Sequence, residues 1–232
     1  MERMGQKELT RGIIVLLVFS LSGGIFAQPL FKISFDGDQP GKFPSGWDAR
    51  EKKEMRKVYS VLEENGEKFL RGNSGGLSIT IGYEKEWSLT DYPAIRWRWR
   101  PITLPSGTDE HKKSGNDNVL GLYVAFGGWP VPKSIKYIWS ETLPVGTELH
   151  SPFSKKTKMV VIRSGREGVG QWLSEERNIL EDYQRLFGEP NAAPKARGIA
   201  ILTDSDNTGT EAVGDYDDIE ILKNVSKIQN EV

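Results

Sequence analysis

The chain has 232 residues, no cysteine, two histidines and a formal net charge of −1 at pH 7. The lack of cysteine excludes disulfides, thiolate metal sites and cysteine nucleophiles. The near-neutral charge gives no sign of the strongly basic domain that bulk nucleic-acid attraction usually shows, and the length suffices for one sizeable core.

Residues 1–27 read as a secretory leader. Arg3, Lys7 and Arg11 precede an apolar run at 13–19 that is far shorter than the roughly 20 residues that span a bilayer. Cleavage is expected after Ala27, with Ile25 larger than the usual small residue there, so retention as an N-terminal anchor is the alternative. The expected location is periplasmic or secreted. The rest is expected to form a single domain over 28–223, with a flexible tail at 224–232.

Strand periodicity begins at 30–35 and stops at the turn residues Asp36, Gly37 and Asp38. A hairpin is expected at 57–71 about Asn65 and Gly66, because Asn-Gly tolerates the positive φ of a tight turn. Residues 94–100 alternate most cleanly: Ile95, Trp97 and Trp99 share one face, Arg96, Arg98 and Arg100 the other. A long exposed loop is expected at 105–118, and strands at 119–126, 134–139 and 158–163. Ser174 is the expected N-cap of an amphipathic helix near 175–187, with Glu175 and Glu176 at its positive end and Gly188 and Pro190 ending it. Residues 199–204 and 218–222 return to period two, separated by a loop rich in Asp, Asn, Thr and Gly. This order predicts an all-β fold, a two-sheet antiparallel β-sandwich of jelly-roll type with one short helix, its first and last strands adjacent.

The pieces Ile95-Arg96-Trp97-Arg98-Trp99-Arg100, 117–126, Tyr137-Ile138-Trp139, Trp172, Arg177-Asn178, Asp182-Tyr183, Phe187-Gly188 and the 204–209 block DSDNTG occur in this order. Together they resemble the bacterial domain-of-unknown-function family number 3047, over essentially the whole chain after the leader. That family has no established activity, so the resemblance implies a domain and an export route, not a mechanism. More loosely, 30–38 and 215–222 are similar to jelly-roll carbohydrate-binding modules of the galactose-binding type.

Two cation sites suggest themselves. Asp204, Asp206, Thr208, Gly209 and Asp215 occupy positions 1, 3, 5, 6 and 12 of a calcium-loop spacing. Thr and Asp replace the usual residues at 5 and 12, and a strand replaces the preceding helix; the alternative is Asx side chains capping their own turn. The second site, implied by the likeness to sugar-binding modules, joins Asp36 and Asp38 to Asp217 and Asp218 where the first and last strands meet. Calcium, structural, is the expected ion.

For ligand binding, Arg96, Arg98 and Arg100, with Tyr123 and Lys136 if the strands are in phase, could line a groove for a carboxylate- or sulfate-bearing glycan. The plainer alternative is a sheet face with cross-strand acid partners. Trp129 and Trp172, in polar loops, suit sugar stacking or plug the sandwich ends. Neither a nucleophile motif nor a zinc motif is present, and catalysis is left to carboxylates such as Asp117, Glu175, Glu176, Asp204 and Asp206. The function expected is an exported non-catalytic domain binding a glycan or another cell-envelope component. The alternatives are a polysaccharide-acting hydrolase or lyase, and a structural envelope protein with a protein partner.

Overall fold

The computed structural model describes residues 28–128 and 132–223, so the expected leader, Trp129 and the tail lie outside the described residues. Alternation at 94–100 has the consequence its period requires. Strand β5 (Ala94–Thr103) buries Trp97 and Trp99 completely and turns Arg96, Arg98 and Arg100 to the other face.

Two six-stranded sheets face each other. The first runs β10 (Leu173–Asn178), β5, β12 (Glu211–Leu222), β3 (Glu67–Gly75), β2 (Tyr59–Glu64). Strand β1 (Phe31–Ile33) continues beside β12, with Phe31 opposite Ile221, which makes the first and last strands neighbours as expected. The second sheet runs β4 (Ile81–Ser88), β11 (Lys195–Leu202), β6 (Leu120–Phe126), β7 (Lys133–Ser140), β9 (Ser154–Ser164), β8 (Glu148–Ser151). All pairings are antiparallel except β7 with β9. A one-turn helix, α1 (Met55–Val58), precedes β2.

The inner faces interlock through aromatic rings. Trp97 stacks on Tyr137 with centroids 5.5 Å apart, and Trp99 meets Trp139 edge-on at 6.2 Å. Each such pair adds about 1 kcal/mol beyond the burial of its area. Leu122, Val124, Ile199 and Ile201 fill the same core.

Three expectations are corrected. The helix α2 (Ile179–Phe187) ends at Gly188 (φ 67°) as expected, but it starts later than Ser174: Asn178 is the N-cap, its side chain accepting from the Glu181 amide. Glu175 and Glu176 lie instead in β10, where Glu175 accepts from Trp99 Nε1 and Arg163, and Glu176 pairs with Arg96. Their partners on other strands outweigh the local signal of acids before an apolar stripe. Residues 105–118 are no exposed loop: Thr108, Glu110, Asn116, Asp117 and Asn118 are buried. And 211–217, read as loop, is the first half of the long strand β12, its acids neutralised by arginines from β3 and β5.

Candidate functional site

Register fixes which side chains stand together on the outer face of the second sheet. One rung crosses five strands as Gly82, Ala200, Tyr123, Lys136 and Met159; the next is Glu84, Gly198, Ala125, Ser134 and Thr157. Leu202 lies beyond Ala200 on the same face, opposite Gly121. The segment 105–118 folds over the Met159 end of this face, where Asn116 Nδ2 approaches Met159 Sδ at 3.8 Å.

A recess of about 270 Å³ opens between these groups. Tyr123, Lys136, Leu202 and Thr157 come from the sheet; Asn116 from the covering segment; Asp204, Asp206 and Asn207 from the β11–β12 loop; and Phe153 from the tip of the β8–β9 hairpin. Phe153 is 56% exposed, one of the few large apolar side chains left open to solvent among the described residues.

The recess has an unusual electrostatic floor. Lys136 is buried, with Nζ donating to Asn118 Oδ1 at 2.7 Å and lying 5.3 Å from the centre of the Tyr123 ring. Gly121 makes this possible: a Cβ there would meet Lys136 Cε at 2.7 Å. Burial disfavours the Lys136 charge, but Tyr123, Asp204 and Glu110 nearby outweigh it and raise its pKa. Asp204 is buried as well, accepts from the Asn118 amide at 2.9 Å, and has its pKa pushed up to about 6, mainly by burial and further by Asp117 and Asp206. Burial and Asp117 also raise Asp206.

Asp117, Asp204 and Asp206 converge, their ligand oxygens all within 4.8 Å of one another. That spacing matches one hard cation at the 2.3–2.6 Å distances calcium takes. The loop thus keeps two of its four expected ligands together and adds Asp117 from a distant segment. Thr208 does not join as a ligand of its own; its amide and hydroxyl both donate to Asp117 Oδ2 at 2.7 Å. Asn207 holds the other oxygen of Asp117 through its amide and its side chain.

Asp215 is elsewhere. It is fully buried on the outer side of the first sheet, taking Arg71 Nε at 2.7 Å on one oxygen and Arg100 Nε at 2.8 Å on the other. The same face holds the arginine row, which the structure separates from Tyr123 and Lys136 by the thickness of the sandwich. Arg96 pairs with Glu176 and Glu220, Arg98 with Asp217 and Asp218, and Arg100 also with Glu64. Trp172 covers Arg98 and Arg100 at 5.3 and 4.8 Å. These contacts have the form of the plainer alternative, arginines answered by cross-strand acids.

The second cation set is held by cations of the protein. Asp217 and Asp218 face Arg98, and Asp218 also Lys32, while Lys68 Nζ donates to the carbonyls of Asp36 and Asp38. Asp38 itself accepts from Ser45. Among the described residues, only Asp117, Asp204 and Asp206 gather at cation-binding distance.

Among the recess residues that sequence reasoning did not single out are Asn116, Phe153, Thr157 and Leu202. Asn116 carries no local signal. Phe153 does: a lone aromatic at a hairpin tip between Ser151 and Ser154 has no core to enter.

Residues 45–220 match a family described as protein of unknown function (DUF3047). No functionally curated protein matches the chain. Solved structures similar to it include the module TmCBM61 in complex with beta-1,4-galactotriose, at TM-score 0.36 and 11% identity over 83% of this chain and 99% of that one. The mannan-recognising carbohydrate-binding module TmCBM27 aligns at TM-score 0.38 and 10% identity, over 85% and 98%. Endoglucanase 3 of Trichoderma harzianum, family GH12, aligns at 0.41 and 11%, over 82% and 96%.

Proposed function

The chain belongs to the DUF3047 family of proteins of unknown function, and from its recess we propose that it is an exported, non-catalytic β-sandwich domain that binds a glycan. One observation carries this reading. Tyr123 and the exposed Phe153 line the same recess as Asp206, Asn207, Asn116 and Lys136. A sugar needs that pairing: ring faces for its C–H surface, and fixed amide, carboxylate and ammonium groups for its hydroxyls.

A structural calcium at Asp117, Asp204 and Asp206 is the second part of the proposal. Burial first, and then mutual repulsion, raises Asp204 and Asp206, and a cation among the three carboxylates would relieve that repulsion. The glycan reading stands without it.

Export rests on the leader-like 1–27 segment.

The test is binding of the protein to a broad array of neutral and acidic polysaccharides, with calcium and again with chelator. A glycan retained in both conditions supports the module and removes the calcium. A glycan lost with chelator supports both parts. Binding to none overturns the glycan reading and favours a protein partner, and release of sugar from a bound polysaccharide overturns the non-catalytic reading.

A further inference from the structure

A second hollow lies on the same sheet face, and its floor is made of the smallest side chains in the fold. It holds about 620 Å³ above Gly82, Ala200, Gly198 and Ala125. Register places it beside the recess. Ala200, on its floor, is the cross-strand partner of Tyr123 in the recess, and Ala125 follows two residues after Tyr123 on the same face.

The glycines of this floor have different causes. Gly198 is required by packing, because a Cβ there would lie 2.5 Å from the Tyr83 carbonyl at the bulge between β4 and β11. Gly82 is not. A Cβ at 82 would meet only the Ile199 carbonyl, at 3.9 Å, and an ordinary side chain fits. A glycine in a strand costs stability and often marks close approach by another backbone or a ligand. The Asp48 backbone pairs with Gly82 along the sheet edge and leaves the face above it uncovered. At Gly82 the consequence is an open trough.

We infer that the trough and the recess form one groove for an extended, uncharged polysaccharide, with the Tyr123 recess gripping one sugar unit and the Gly82 trough seating the units that follow. This rests on the glycan reading of the recess. From Gly82 to Lys136 the groove crosses three strand spacings, about 14 Å, longer than one pyranose ring. With no calcium bound at Asp117, Asp204 and Asp206, its charge selects against polyanions, so the acidic probe is read in chelator. Arg197 is paired with Glu86 at 3.2 Å and the buried Lys136 faces Asp204, which leaves Glu84 and Asp206 against Lys85. A uronate or sulfated chain would meet net like charge.

The experiment is a length series by titration calorimetry, using β-linked gluco-, manno-, galacto- and xylo-oligosaccharides of about two to six units, with oligogalacturonate as the acidic probe. The proteins are wild type, Gly82→Leu, and Ala200→Leu as a second variant filling the same trough; thermal melting confirms that each is folded. Wild type is expected to gain about tenfold in affinity from the shortest to the longest neutral ligand, and the filled variants to lose that gain while still binding the short one. A wild-type affinity independent of length, a gain that survives both variants, or a preference for oligogalacturonate overturns the groove and leaves the recess standing. Failure of every probe and of their parent polysaccharides overturns the recess reading, and the groove with it.

Discussion

Lys136 and Asn118 are joined across the outer face of the second sheet, ammonium to amide oxygen at 2.7 Å, and both are buried. The bond ties the 105–118 segment onto the sheet and supplies the buried cation with its oxygen. Asn118→Leu removes that oxygen and leaves Lys136 to Tyr123, Asp204 and Glu110, and the expected loss is about 2 kcal/mol in urea unfolding. A loss below about 1 kcal/mol would show that Lys136 has another adequate partner.

Asp204 makes stability depend on pH in a definite direction. Its folded pKa, about 6, lies above its ordinary value of 3.8, so the folded state holds the proton more tightly. Stability from this group is therefore greatest below about pH 4 and declines as pH rises to about 6, by a few kcal/mol at most. Asp217, also raised to about 6, adds to the same window. Asp204→Asn keeps an oxygen for the Asn118 amide and removes the titration. Urea midpoints from pH 4 to 7 should show the variant gaining on wild type as pH rises; parallel curves would contradict the assignment.

The calcium ligands are separable by substitution. In calorimetry with millimolar calcium chloride, Asp206→Ala, at an exposed position, should abolish ion binding and leave the melting temperature without calcium nearly unchanged. Equal binding by the variant, or none by wild type, contradicts the site.

Asp215 is the structural counterpart. Replacing it with Ala leaves Arg71 and Arg100 without their shared carboxylate and should cost about 3–5 kcal/mol by urea unfolding. An Asp215→Ala protein of wild-type stability would show that the arginine row does not depend on it.

Helix capping distinguishes the two possible starts of α2. Asn178→Ala should cost about 1 kcal/mol, since it removes the acceptor for the Glu181 amide, while Ser174→Ala, in an exposed strand position, should change little. The reverse ranking would restore the earlier start.

Where order is local, the sequence is readable. Ile95, Trp97 and Trp99 are buried as their alternation requires, and the Asn65-Gly66 turn takes positive φ at both residues. What the sequence hides depends on distant partners. Asp215 and Asp217 look like loop residues until Arg71, Arg98 and Arg100 arrive from β3 and β5. Asp204 and Asp206 stand out within their loop, yet their companion Asp117 belongs to a segment read as solvent-exposed. Tyr123 and Lys136 share a face, as strand phase suggests, but that face is opposite the arginines with which they were grouped. Spacing can report which residues alternate; it cannot report which sheet a strand joins.

The most direct measurement compares Phe153→Ala with Trp172→Ala for binding of whichever polysaccharide the array identifies. Phe153 lines the recess on the second sheet, and Trp172 covers the arginines of the first. The account predicts that Phe153→Ala weakens binding about tenfold or more, the worth of a lost ring contact of about 1.5 kcal/mol, while Trp172→Ala binds as wild type. Loss of binding in Trp172→Ala with Phe153→Ala unaffected would contradict it and move the site to the arginine face.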